Sequence, residues 1–288
     1  KYKNSLIRYD VVSRCKFRGF TDYKKFKFIR LVFRNKSGFR KYQYVFWKPL
    51  KISGIMSKPT KFKLYESNIE PFLRCMHIRN LDACGWVKIL KNKYCKLKDH
   101  GLADIQISTK WSQLKKVESN HISKIVIAAF DIECTSGDGS FPQAERDTDK
   151  VIQIGTTFSR YGEDECFYKY IVTLKSCNDI PGVDVEYYND EKEVLLAWAR
   201  MIQRMDPDVM TGYNIFGFDY KYLHNRSKKL GCYHKFSKMC RLSGGLTEFK
   251  EKELSSAALG NNFLYYYDMR GRIQIDLMKV IQKVEVSG

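Results

Sequence analysis

Apolar and polar positions fall into two rhythms along the second half of the chain. Residues 124–134 (KIVIAAFDIEC) form a nearly continuous apolar run ending in two acids, as in a strand covered on both faces. The polar, acidic stretch 135–150 reads as a loop. Residues 151–159 and 166–174 read as further strands, joined by a turn at 161–164. From 190 to 205 the rhythm changes. Val194, Leu195, Trp198, Met201, Ile202 and Met205 recur at helical spacing, Asp190 with Glu193 resembles a capping box, and Pro207 stops the helix. A short strand at 208–213 and a helix from about Phe218 to Lys229 follow, with Gly231 just past the helix end. Strands interleaved with helices predict an α/β (mixed α+β) domain.

The first half patterns differently. Residues 1–50 alternate apolar and polar and read as strands, including Tyr23-Lys24-Lys25-Phe26-Lys27-Phe28 and Phe39-Arg40-Lys41-Tyr42-Gln43-Tyr44. Pro49, Gly54 and Pro59 mark a loop. Residues 66–80 read as a short helix capped by Ser67 or Asn68, with Pro71 in its first turn, and a strand pair follows through 86–90. No repeat of solenoid length is present.

At 288 residues, 44% hydrophobic, the chain has material for two domains and excludes disordered or collagen-like readings. No apolar run approaches the roughly 18 residues of a membrane helix. The chain begins at Lys1, so a fragment is expected. Nine cysteines, an odd number without a C-x-x-C pair, argue against a disulfide framework or a zinc ribbon and for idle thiols in a reducing, intracellular compartment. Charge divides the chain. Residues 1–124 carry 30 Lys/Arg against 8 Asp/Glu, whereas residues 125–288 carry 21 against 24. Two domains are therefore expected, 1–124 and 125–288, the first a basic, β-rich surface suited to nucleic-acid phosphates and, through its aromatics, to bases.

Asp131 and Glu133, two apart on a predicted strand, point to one face at the strand's end, where an α/β sheet opens its site. Hard oxygen ligands of this kind suit Mg²⁺ or Mn²⁺. Composition alone gives about one Asp-x-Glu triplet by chance. The second one here, Asp184-Val185-Glu186, follows Pro181-Gly182 and reads as a solvated loop. Asp219, among aromatic neighbours, is costly to bury unless paired or bound to a cation, and otherwise reads as an N-cap. Three such carboxylates can converge on two divalent ions roughly 4 Å apart, a geometry for phosphodiester hydrolysis.

These residues resemble a known family. Phe130-Asp131-Ile132-Glu133 is similar to the first exonuclease motif of the family B DNA polymerases, and Asn214-Ile215-Phe216-Gly217-Phe218-Asp219 to the second. Phe141-Pro142 with Glu145-Arg146-Asp147, then Val151-Ile152-Gln153-Ile154-Gly155, Asp206-Pro207-Asp208-Val209, Thr211-Gly212-Tyr213 and Gly271-Arg272-Ile273-Gln274-Ile275-Asp276, also match. Tyr65-Glu66-Ser67-Asn68-Ile69 and Cys84-Gly85-Trp86 are similar to the delta-type catalytic subunit, and the spacing suggests a large DNA virus.

The resemblance covers about residues 60–282. It implies a 3′–5′ proofreading exonuclease domain with an RNase H-like fold and central mixed sheet, behind a template-contacting N-terminal domain. Asp131, Glu133 and Asp219 would be the catalytic metal ligands for two Mg²⁺ or Mn²⁺ ions, and Asn214 and Phe218 would seat the frayed 3′ end. The implied partners are a DNA primer-template, a single-stranded 3′ end, a sliding clamp and accessory subunits, with no membrane, in the nucleus or at a viral replication site. A third family motif, Tyr-x-x-x-Asp, is expected beyond Asp276 and does not occur in this sequence. Asp268 and Asp276 lack a tyrosine four residues earlier and do not replace it. The piece alone is thus expected to bind DNA and cut it poorly. A DNA-binding module with a merely architectural nuclease fold, or a self-standing exonuclease, are the alternatives.

Overall fold

The computed structural model describes residues 4–16, 19–97, 105–241, 245–256 and 260–287. Residues 1–3 and 17–18, within the stretch read as strands, and Gly288 lie outside them. The chain divides into two compact units, Lys1–Lys93 with Lys110–Ser119, and Tyr94–Thr109 with Asn120–Gly288. No helix among the described residues is long and apolar enough to cross a membrane.

In the first unit, β1 (Leu6–Cys15) and β2 (Lys25–Phe33) form an antiparallel ribbon with Val11 opposite Ile29. Phe26 and Phe28 are half-buried while Lys25 and Lys27 are exposed, the alternation read from the sequence. The second aromatic segment is not a strand. It lies in helix α1 (Lys36–Trp47), whose start is capped by the Asn35 side chain accepting the Gly38 N–H at 2.8 Å. Phe39, Tyr42 and Phe46 recur at helical spacing, and their rings meet Phe33 at 6.0 and 5.0 Å and Phe62 at 5.9 Å.

Helix α2 (Pro71–Arg79) begins with Pro71 in its first turn, as expected. Its cap position is Glu70, not Ser67 or Asn68, and Asn80 ends it in the left-handed region at φ 50°. Then come β3 (Trp86–Lys88), a short hairpin β4 (Tyr94–Lys96) and β5 (Ile107–Thr109) that groups with the second unit, and β6 (Lys115–Val117), antiparallel to β3. Two helices beside two small sheets make this unit mixed rather than predominantly β.

The second unit is built on six strands: β7 (Val126–Cys134), β8 (Val151–Arg160), β9 (Cys166–Leu174), β10 (Asp184–Tyr188), β11 (Val209–Gly212) and, late in the chain, Ile273–Asp276. Between β10 and β11 runs α3 (Glu191–Met205). After β11 come α4 (Asp219–Lys229), α5 (Tyr233–Phe236), and the hairpin β12 (Glu248–Ser256) and β13 (Gly260–Asp268). The strand Ile273–Asp276 is β14, followed by α6 (Leu277–Ser287). The sheet order is β10-β9-β8-β7-β11-β14. Strands β9, β8 and β7 are antiparallel neighbours, β10 runs parallel to β9, and β11 runs parallel to both β7 and β14. The sheet is therefore mixed.

The apolar face of α3 closes one side of it. Val194, Leu195, Trp198 and Ile202 are buried with Phe130, Ile154, Phe158, Val172 and Met210. The Trp198 indole N–H donates to Thr156 Oγ1 at 3.0 Å, so the largest core side chain leaves no orphan donor. Asp190 caps the helix by accepting the Lys192 N–H.

Asp184 and Glu186 lie on an edge strand, β10, not in a loop. Val185, Tyr187 and Tyr188 are β-formers that pair with β9 once Pro181-Gly182 has turned the chain. Both acids accept tyrosine hydroxyls: Tyr168 on Asp184, Tyr170 and Tyr188 on Glu186.

Candidate active site

Strand β7 buries Phe130 and Ile132 and exposes Asp131 and Glu133, so both acids leave the sheet on one face. Across the ladder they oppose Gly155 and Gln153 of β8. On the other side β11 pairs with β7 only as far as Thr211 opposite Ala129. The two chains come very close there. A Cβ on Gly212 would stand 2.5 Å from the Phe130 carbonyl oxygen, which explains the glycine.

After Gly212 the backbone turns sharply. Asn214 adopts φ 60°, and its carbonyl accepts the N–H groups of Gly217 at 2.9 Å and Phe218 at 3.0 Å. Its side chain lies against Gly217, where a Cβ would fall 2.2 Å from Asn214 Oδ1. This turn starts α4 and puts Asp219 in its first position. Asp219 is therefore not the N-cap. Phe218 holds that position and makes no side-chain capping bond.

The Asp219 carboxylate instead reaches β7 beyond its last pair with β11, accepting the Ile132 N–H at 3.3 Å. Only 2% of the residue is exposed. Burial first, then the charge of nearby Asp131 and more weakly that of Asp276, push its carboxyl up to about 7. Among the described residues, no Lys or Arg forms an ion pair with Asp131, Glu133 or Asp219. Asp219 and Asp131 thus come together without a counter-charge. Glu133 leaves β7 on the same face as Asp131, and among the described residues no three His, Cys, Asp or Glu side chains form a ready cation cage. Cys134, next along β7, has its thiol pushed up to about 12 by burial and is no nucleophile near neutral pH.

Phe218, half-buried, meets Phe141 edge-on at 5.1 Å and Tyr222 at 5.2 Å. Phe141 is 73% exposed, so an aromatic edge borders the acid face. The loop carrying it is held down at several points. Asp149 accepts the Gly137 and Gln143 N–H groups at 3.0 and 2.9 Å, and the Tyr222 hydroxyl donates to the Asp149 carbonyl at 2.8 Å. Arg226 donates to the Ala144 and Arg146 carbonyls and forms a buried ion pair with Glu191, which also accepts the Val151 N–H. Sequence reading did not single out Asp149, Glu191 or Arg226. The one available signal was the four-residue spacing of Tyr222 and Arg226, which aims both at one side of α4.

Asp276 is not one of the motif acids. It lies at the end of β14, in register with Gly212 and 2% exposed. Its carboxylate accepts three backbone N–H groups: Asn214 at 3.0 Å, Phe216 at 2.9 Å and Met278 at 2.9 Å.

Comparison with known proteins agrees with this architecture. Residues 62–286 match the model for the exonuclease domain of DNA polymerase family B. The chain is 36% identical over 285 residues to a DNA polymerase of Acanthamoeba polyphaga mimivirus, covering 99% of this chain and 16% of that protein. It is 35% identical over 243 residues to the DNA polymerase delta catalytic subunit of Arabidopsis thaliana, covering 81% of this chain and 21% of that protein. The family B DNA polymerase from the archaeon Pyrobaculum calidifontis shares the fold, with a TM-score of 0.59 at 20% identity over 96% of this chain and 29% of that one. The chain thus spans about a sixth to a fifth of these two curated relatives. A match across most of its length places the chain in the family B DNA polymerases, as a segment carrying their exonuclease domain.

Proposed function

We propose that the acid face at the end of β7 hydrolyses phosphodiester bonds at the 3′ end of DNA, as the proofreading part of a replicative DNA polymerase. The observation that carries this reading is Asp219: a buried carboxylate beside Asp131, with no Lys or Arg among the described residues ion-paired to either. A buried acid of this kind is expensive unless a cation joins it. An all-oxygen set of Asp131, Glu133 and Asp219 fits Mg²⁺ or Mn²⁺ by hardness and charge. Bound there, two such ions would supply an activated water and charge stabilisation for the departing oxygen.

The chain's own residues do the rest. Asp131 and Glu133 present carboxylates from a rigid strand, and the Ile132 N–H fixes the orientation of Asp219. Asn214 offers an amide and Phe218, with Phe141, an aromatic edge to a terminal nucleotide. The basic residues of 1–124 are assigned to DNA phosphates. The remaining functions follow from the relatives: DNA synthesis by the longer polymerase, a primer-template substrate, a sliding clamp and accessory subunits as partners, and work in the nucleus or at a viral replication site.

The test incubates a single strand labelled at its 5′ end with Mg²⁺ and an excess of the chain, long enough to read slow cutting. A slow ladder shortening from the 3′ end is expected, because the third motif acid does not occur in this sequence. It should vanish in the Asp131→Ala, Glu133→Ala double variant while DNA binding persists. The absence of a ready three-acid cluster among the described residues favours the rival reading of an architectural nuclease fold. That reading expects no difference between parent and variant.

A further inference from the structure

We propose that Asp276 is a positioning residue of the acid site. Its buried carboxylate holds the turn that delivers Asn214, Phe218 and Asp219 to β7. The inference rests on the nuclease reading for its consequence, but its geometry stands alone.

The turn between Gly212 and Asp219 is unsupported by strand pairing and begins at a residue in the left-handed region. Such a turn needs partners for its inward N–H groups. Asp276 supplies two of them from one side chain, Oδ1 to Asn214 and Oδ2 to Phe216. Charge-assisted bonds to backbone N–H are among the stronger hydrogen bonds, and here the accepting residue is itself buried. The carboxylate has little freedom of its own. Its backbone is in the sheet beside Gly212, and Oδ1 also accepts the Met278 N–H, which opens α6. A clamp fixed to the sheet therefore holds the turn at two alternate residues. The Phe216 carbonyl is taken in addition by the Tyr265 N–H at 2.8 Å. Asp276 touches no reacting atom in this arrangement. It acts through Asn214 and Phe216.

The experiment compares the parent with Asp276→Asn and Asp276→Ala, and with Arg241→Ala as a control for lost stability. Arg241 pins Asp206 and Asp208, at the opposite end of β11 from the acid site. Two quantities are read: amide hydrogen exchange across residues 213–218, and the single-turnover rate against half-saturating DNA concentration for 3′-end shortening. In the alanine variant exchange should rise roughly tenfold or more. The rate should fall on the order of 10²-fold, the cost of misplacing a group by about 1 Å, with half-saturation little changed. Asn, which keeps one acceptor, should lie between parent and Ala. Arg241→Ala should keep both its rate and its exchange in the turn. The proposal is overturned if exchange across 213–218 is unchanged in Asp276→Ala, or if the rate falls no more than in a control matched for melting temperature. A parent chain that shortens no DNA would refute the nuclease reading instead, and the exchange measurement would still decide the role of Asp276 in the turn.

Discussion

The Ile132 N–H lies 3.3 Å from the Asp219 carboxylate, and this one bond joins the middle of β7 to the first turn of α4. It brings the two acid-bearing stretches together in space, and it offsets only part of the penalty that burial imposes on Asp219.

That penalty has a sign that can be tested without metal. With its carboxyl raised to about 7, folded Asp219 keeps a proton that the unfolded chain releases near 4. Its contribution to stability is present below pH 4 and is lost as pH rises toward 7. Asp219→Asn removes this slope and keeps an acceptor for Ile132. In urea unfolding with chelator at pH 8, the variant should be more stable than the parent by on the order of 3 kcal/mol. Equal stabilities at pH 8 would refute the assignment.

His224 supplies the opposite slope. Its ring stacks on Phe249 at 3.8 Å and is enclosed by Tyr233 and Tyr267. Burial holds it at about 4, below its ordinary 6.5. The unfolded chain therefore takes up a proton first as pH falls, and stability is lost between about 6.5 and 4. His224→Phe should flatten the acid limb, so that unfolding at pH 4.5 costs the variant less of its neutral-pH stability than it costs the parent. A parallel acid limb would show that His224 is not buried as described.

Two glycines flank the acid strand with opposite expectations. Gly212→Ala places a methyl 2.5 Å from the Phe130 carbonyl and should cost about 1–3 kcal/mol, with loss of activity as β11 moves away from β7. Gly155→Ala, opposite Asp131, meets nothing within 4 Å and should be neutral or slightly stabilising. Thermal unfolding of both variants checks the contrast. Equal losses would contradict the close approach at Gly212.

The same residues show what a sequence can disclose. Strand β7 and helix α3 were legible because an unbroken apolar run and a 3.6-residue period each admit one reading. Helix α1 was not. Its aromatics at 39, 42, 44 and 46 fit either period, and the deciding signal was the cap at Asn35. Strand β10 was hidden by its own acids, which are tolerable only because tyrosines on β9 and β10 satisfy them. At the site, Asp131, Glu133 and Asp219 were legible as motif residues. Asp276 was not legible as a support, because it bonds backbone N–H groups, which no residue pattern encodes.

The basic residues before position 125 give a further expectation. If they neutralise phosphates, the affinity of the chain for single-stranded DNA should fall steeply and linearly on a log–log plot against salt. Replacing Lys25, Lys27, Lys41 and Lys48 together by alanine should reduce that slope. A flat salt response in the parent would remove the nucleic-acid role of this unit.

The most direct test is Mn²⁺ binding to the chain at pH 8, followed by calorimetry or paramagnetic resonance. The account predicts saturable binding in the parent. It predicts at least tenfold weaker binding in each of Asp131→Asn, Glu133→Gln and Asp219→Asn, with the fold intact by circular dichroism. Undiminished Mn²⁺ affinity in Asp219→Asn would contradict it.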